Sequence, residues 1–187
     1  MKSKPIIVGL SGYAGTGKDT VRDILESAGF VGFAFADPIR SMLRELLTSN
    51  GISDQFIDSR EFKEQIIPEL GVSYRQMAQT LGTEWGRSLQ HDFWLRLASA
   101  YMADVERNTW NDTTAFVISD VRFSNEAAWV REQGGVIWRV LRPGTTPVRS
   151  HISEQELTLF DADQTIINGG GLEELNLAVL QAVGSLQ

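Results

Sequence analysis

The sequence predicts an α/β fold, a three-layer αβα arrangement with a parallel sheet covered on both faces, and three observations carry that prediction. Apolar runs recur at residues 6–10, 31–36, 115–119 and 136–141, with a short fifth strand at 165–168, and the first, without polar alternation, has the pattern of a strand buried on both faces. Segments with apolar residues at helical spacing separate most of these runs, so strands and helices alternate as parallel pairing requires. The first run ends in a glycine-rich turn that leads straight into a helix.

That first segment holds the clearest chemistry. The run IIVGL at residues 6–10 is followed by GYAGTGKDT at 12–20, and Val21, Ile24, Leu25 and Ala28 then recur at helical spacing up to Gly29. A loop that cradles a polyphosphate needs glycines so that successive N–H groups can turn inward, and the following helix adds the positive end of its dipole. Gly12, Gly15 and Gly17 supply that freedom, Tyr13, Ala14 and Thr16 complete the loop, and Lys18 adds a mobile charge. The usual pattern places Ser or Thr directly after the lysine to meet magnesium. Here Asp19 stands in that place and Thr20 follows. A glycine-rich turn without a ligand is the alternative reading.

Composition bounds the remainder. At 187 residues with 42% hydrophobic content the chain fits one domain, 1–187, with a full core and leaves room for a mobile lid. A net charge of −7 argues against a large basic face, so no direct nucleic-acid binding is expected. With no cysteine, disulfides and thiolate metal sites are excluded. The first apolar run is too short for a signal or a membrane span, and a cytoplasmic location is the default expectation.

Past the first helix, the run 31–36 ends at Asp37-Pro38, which reads as an N-cap with proline at the first helical position. Ile39, Met42, Leu43, Leu46 and Leu47 continue that helix on one face, Arg40 lies on its first turn, and Asn50-Gly51 ends it. Residues 52–70 lack a clean period and read as a variable or mobile segment. Ser73 and Gln76 form a capping box for a helix through Leu81. Residues 81–87 then place polar and aromatic groups between glycines. A further helix from Asp92 to about Arg107 turns Phe93, Leu97 and Tyr101 to the core, with Trp94 and Trp110 in packing roles.

The run 115–119 ends at Asp120, an acid at the end of a buried strand, where a carboxylate orients magnesium directly or through water. Ser124 caps the next helix and Gly134-Gly135 ends it. Residues 142–153 carry Arg142, Arg149 and His151 with two prolines and a glycine, as a solvated loop or a closing lid would. Ser153 and Glu156 make another capping box. Three glycines after Asn168 precede a last helix with Leu172, Leu175, Val179 and Val183 on its inner face.

Six segments together resemble the phage-type deoxynucleoside monophosphate kinases, a branch of the P-loop nucleoside-monophosphate kinases. They are GYAGTGKDT (12–20), FADPIR (35–40), LGTEWGR (81–87), DVRFSNE (120–126), HISE (151–154) and ING (167–169). The spacing of Lys18, one other residue and Thr20 is also similar to that family's. The resemblance implies an adenylate-kinase-like P-loop NTPase core of strand order 2-3-1-4-5, an acceptor-binding region at about 37–90 and a lid at about 142–153. It further implies transfer of the γ-phosphoryl group of ATP to a deoxynucleoside monophosphate, with Mg2+ as cofactor, in the host cytoplasm if the chain is phage-encoded.

Within that resemblance the ATP side comprises Gly12 to Thr20, Arg142, Arg149 and Asn168, with Lys18, Asp120, Arg122 and Arg142 as the catalytic set. Asp19, Thr20 and Asp120 are the magnesium candidates. The acceptor side comprises Asp37, Arg40, Gln79, Thr83, Glu84, Trp85, Arg87, Arg122, Asn125, Glu126 and His151. Trp85 suits core packing as well as stacking on a base, Glu126 suits capping of its own helix, and Asn168 suits a tight turn. No membrane partner is implied, and a homodimer stays open. Two other readings share the loop: a kinase of another small phosphorylated acceptor, and an ATP-binding regulatory module without an acceptor.

Overall fold

The computed structural model describes residues 4–59, 61–109, 114–145, 157 and 159–186. Its strands are β1 (Ile6–Ser11), β2 (Val31–Phe33), β3 (Ile66–Ile67), β4 (Val72–Ser73), β5 (Ala115–Ile118), β6 (Val136–Leu141) and β7 (Gln164–Ile167). The helices are α1 (Lys18–Ser27), α2 (Asp37–Thr48), α3 (Gln55–Asp58), α4 (Tyr74–Gln79), α5 (Gly86–Leu89), α6 (Phe93–Asn108), α7 (Ser124–Glu132) and α8 (Leu172–Gly184). Two compact units result, one of Met1–Ala34 with Tyr101–Gln187, the other of Phe35–Ala100.

In the first unit five parallel strands form one sheet in the order β2-β5-β1-β6-β7. Counted among themselves along the chain, these strands follow the order 2-3-1-4-5 implied by the family resemblance. The central strand β1 pairs with β5 and β6, and Val8 lies opposite Val117 on one side and Val136 on the other. Val8, Leu10, Val117, Trp138 and Val140 are buried in one core with Val21, Ile24 and Leu25 of α1 and Leu175 and Val179 of α8. Each such side chain contributes about 1.5–3 kcal/mol on burial. The Arg22–Glu26 pair within α1, at 2.8 Å and beside Gly32 of β2, contributes only about 0.3–0.5 kcal/mol. Packing, not charge, therefore holds α1 on the sheet.

Several local expectations are corrected here. The second strand is three residues long, Val31–Phe33, and Ala34 and Phe35 are buried without joining the ladder. Ser124 does not cap α7: Phe123 is the N-cap residue, and the Glu126 carboxylate accepts from the N–H groups of Arg122 and Phe123 at 2.8 and 3.1 Å. Leu172 is exposed because α8 turns Leu175, Val179 and Ala182 inward. In α6 the buried residues are Trp94, Leu95, Ala98 and Met102, while Leu97 and Tyr101 are exposed. The phase is rotated by one residue from the expected one, since the bulkier Trp94 takes the inward position. Tyr101 still meets Phe33 edge to face at 5.2 Å between centroids.

The second unit is organised around α2, which buries Ile39, Leu43 and Leu47. Met42 and Leu46 of the expected apolar face are exposed, so that face is narrower than the sequence suggests. Asp37 is the first helical residue rather than the N-cap, which is Ala36, and its carboxylate pairs with Arg40 at 2.7 Å. Residues 52–59 and 61–70 hold α3, a 3₁₀ turn at Phe62–Glu64 and strand β3, which pairs antiparallel with β4. That hairpin was not legible because two-residue strands show no period. Ser73 caps α4 as expected, accepting from the Gln76 N–H at 3.1 Å. Among the described residues no helix is long and apolar enough to cross a membrane.

Candidate active site

Parallel strands bring their carboxyl ends to one edge of the sheet, and ligands of open α/β sheets bind outside that edge. The first unit gathers four sequence-predicted segments there. The glycine loop follows Ser11 of β1, Asp120 follows β5, Arg142 follows β6 and Asn168 follows β7. Backbone bonds extend the edge beyond the strands: Ser119 N–H donates to Phe33 and Val121 N–H to Leu10, both at 3.0 Å. These clamp Asp120, which is only 8% exposed, at the end of the sheet.

The loop itself has the backbone that its glycines predict. Gly12, Gly15 and Gly17 take φ of 140°, 81° and 99°, a region that only glycine adopts without strain. A Cβ on Gly12 would also collide with the Val140 carbonyl of β6, and one on Gly17 with the Asn168 side chain. Thr16 is buried and its hydroxyl donates to the Tyr13 carbonyl at 3.0 Å. Lys18 reaches back over the loop, its Nζ donating to the carbonyls of Gly12 at 2.7 Å and Tyr13 at 2.9 Å. Ala14, Gly15 and Asp19 are exposed and Thr20 is half-buried.

Asn168 is joined to this loop across 152 positions of sequence. Its Nδ2 donates to the Thr16 carbonyl at 2.9 Å, while its own N–H donates to the Leu141 carbonyl at 2.7 Å. Beyond the same carboxyl end of β5, Arg122 is exposed, Asn125 is half-buried and Glu126 is buried. Glu126 performs the capping that its sequence position allowed, so its carboxylate secures the turn after Asp120. Arg142 is exposed at the end of β6, in a turn closed by Thr145 N–H on its carbonyl at 3.1 Å. Arg149 and His151, with the capping box at Ser153 and Glu156 and with Trp110, lie outside the described residues.

The remaining candidates sit in the second unit. Asp37 and Arg40 form an ion pair on the first turn of α2. Gln79 ends α4, and Thr83, Glu84 and Trp85 lie in a π turn, Thr80–Trp85, that runs into α5. All three are exposed, and Arg87 on α5 is half-buried. Within this turn the Gly86 N–H bonds to Leu81, five residues back. The Gly82 carbonyl, which an ordinary turn would give to that N–H, accepts instead from Trp94 Nε1 at 2.7 Å. Insertion of a side-chain donor into the helical ladder accounts for the widened turn. Trp85 is 42% exposed and meets Phe93 edge to face at 5.6 Å. Tyr74, buried at the start of α4, has its hydroxyl pKa raised, first by burial, with Arg40 and Arg44 opposing that shift.

Oxygen donors alone, a hydroxyl at Thr20 and carboxylates at Asp19 and Asp120, suit magnesium rather than a softer metal. Among the described residues no group of three or more His, Asp or Glu forms a cage for a metal. Trp94 packs as expected, but nothing in its sequence position announces its bond to Gly82.

A glycine loop between a buried central strand and α1, on a parallel sheet of this order, defines a P-loop protein of the kinase type. Two solved structures share the fold: TT1252 from Thermus thermophilus (20% identical, TM-score 0.56, covering 99% of this chain and 100% of that one) and dephospho-CoA kinase from Campylobacter jejuni (14%, TM-score 0.52, 99% of each). A family model described as deoxynucleotide monophosphate kinase matches residues 49–179. A relative from Acanthamoeba polyphaga mimivirus, given the same kinase name provisionally, is 30% identical over 189 residues, 95% of this chain and 96% of its own length. The deoxynucleoside-5'-monophosphate kinase of Escherichia phage T5 is 26% identical over 68% of this chain and 72% of its own. The deoxynucleotide monophosphate kinase of Escherichia phage RB69 is 32% identical over 55% of this chain, a match spanning 41% of that relative. The chain belongs to the deoxynucleotide monophosphate kinase family.

Proposed function

We propose that this chain transfers the γ-phosphoryl group of ATP to a deoxynucleoside 5'-monophosphate, forming the diphosphate. The observation that carries the reading is Lys18, which spans a glycine loop of left-handed geometry at the carboxyl edge of the sheet, in a chain of this kinase family. Phosphoryl transfer asks for positioning and charge neutralisation more than for covalent chemistry.

The loop amides from Gly12 to Thr20 and the Lys18 ammonium hold the β- and γ-phosphates, Lys18 exchanging its two carbonyl acceptors for phosphate oxygens. Thr20, Asp19 and Asp120 hold magnesium, directly or through water. When bound, the ion neutralises charge on the phosphate oxygens. Arg40, Arg87 and Arg122 grip the acceptor phosphate, because a planar guanidinium meets phosphate oxygens bidentately. Arg142 and Arg149 close over the transferring group, and Asn168 belongs to the ATP side. Asp37, Gln79, Thr83, Glu84, Trp85, Asn125, Glu126 and His151 complete the acceptor side. The work is placed in the cytoplasm, with one domain, 1–187, carrying both sites.

A panel of deoxy- and ribonucleoside monophosphates with ATP and magnesium, read as ADP formation, tests this reading. Turnover with one or more deoxynucleoside monophosphates, lost in Lys18→Ala, is the expected result. No acceptor-dependent turnover across the panel, or a Lys18→Ala variant within a few-fold of wild type, overturns it.

A further inference from the structure

The side-chain amide of Asn168 does not stand free for a ligand: its Nδ2 donates to the Thr16 carbonyl at 2.9 Å. Its backbone is held in turn, the N–H donating to the Leu141 carbonyl at the end of β6 at 2.7 Å. The donor therefore comes from a rigid strand end rather than from the loop. A trans peptide is planar and its C=O and N–H point in opposite directions. Holding the Thr16 carbonyl on Asn168 therefore aims the Gly17 N–H away from Asn168. Gly17 has φ of 99° and takes the N-cap position of α1, and the space a Cβ would need there is filled by the Asn168 amide.

We infer that Asn168 is a positioning residue for the phosphate loop: by capturing the Thr16 carbonyl it presents the Gly17 N–H to the polyphosphate. The loop is thus supported from two neighbouring strands. Gly12 abuts the Val140 carbonyl of β6, and Thr16 is held from the end of β7. A loop so held does not have to order its peptide when the anion arrives, and affinity gains by the cost avoided. The inference rests on the reading of this loop as the ATP site, and it differs from a contact between Asn168 and the adenine ring.

Asn168→Asp is nearly isosteric but replaces the donor with an acceptor facing a carbonyl, and Asn168→Ala removes the group. Binding of magnesium tripolyphosphate, which has no base, and of MgATP is measured by calorimetry, alongside the KM for the acceptor and the thermal midpoint. Loss of one net hydrogen bond is worth roughly threefold to tenfold in affinity. Both variants are expected to weaken tripolyphosphate and ATP by the same factor of that size, with acceptor KM unchanged and the thermal midpoint lowered by no more than the few degrees that one hydrogen bond is worth. Weakened ATP with unchanged tripolyphosphate makes Asn168 a base contact and overturns the inference, as does unchanged binding of both. An acceptor KM raised by the same factor as the loss of ATP affinity reduces Asn168 to a structural residue and overturns the inference. Should wild type bind neither probe, the reading of the loop itself fails.

Discussion

Trp94 Nε1 donates to the carbonyl of Gly82 at 2.7 Å, and with that bond the turn carrying Thr83, Glu84 and Trp85 becomes a π turn. The indole is 6% exposed, so the acceptor it satisfies lies where water does not replace it easily. Trp94→Phe keeps most of the ring and removes the donor. The variant is expected to lose about 0.5–1.5 kcal/mol of stability, the net worth of one part-buried hydrogen bond. Steady-state kinetics should show KM for the deoxynucleoside monophosphate rising several-fold with KM for ATP unchanged, since only the segment proposed to bind the acceptor is disturbed.

Gly86 tests the same packing from the other side. A Cβ there would lie 2.5–2.6 Å from three atoms of the Trp94 ring, an approach that real side chains do not make. Gly86→Ala would gain up to about 1 kcal/mol of helix propensity. Overpacking against a rigid indole costs about 1–3 kcal/mol. The net loss should lower the thermal midpoint by several degrees, at ~2–4 °C per kcal/mol for a chain of this size. A scanning-calorimetry trace with an unchanged or higher midpoint contradicts this packing.

Glu126 closes the turn that follows Asp120. Its Oε2 accepts from the N–H groups of Arg122 and Phe123, and the residue is 5% exposed. Glu126→Ala orphans both donors and should cost about 1–3 kcal/mol in denaturant unfolding. Glu126→Gln keeps an acceptor and should cost less. Turnover should fall in the same order, because Asp120 and Arg122 flank the loosened turn.

Tyr74 predicts an alkaline limit. Burial raises its hydroxyl pKa above the ordinary value of 10.0, outweighing Arg40 and Arg44, which lower it. Above about pH 10 the unfolded chain releases this proton while the folded chain keeps it, so the unfolded state binds fewer protons and stability falls as pH rises. Below that pH the tyrosine is neutral in both states and has no effect. Tyr74→Phe should flatten the decline between pH 10 and the raised folded-state value, read from urea midpoints at each pH.

The sheet was legible because parallel strands buried on both faces must be apolar without alternation. The runs beginning at Ile6, Ala115 and Val136 declare themselves at once, and β5, β6 and β1 stand where they predict. The glycine loop was legible for a related reason: Gly12, Gly15 and Gly17 mark a backbone that other residues resist, and the structure gives all three positive φ. The rotated face of α6 and the hairpin of β3 and β4 were not legible. A one-residue change of helical phase, or a strand of two residues, leaves too little periodicity to read.

By itself, then, the sequence determined the strand and helix alternation, the loop and the family, all of which rest on local patterns of residues close together in the chain. The tertiary structure alone decided which distant atoms meet: Asn168 with Thr16, Trp94 with Gly82, the Val140 carbonyl against Gly12. Such pairings are hydrogen bonds and close approaches between separate elements. No propensity encodes them, because they exist only once the strands have taken their order and the helices their phase.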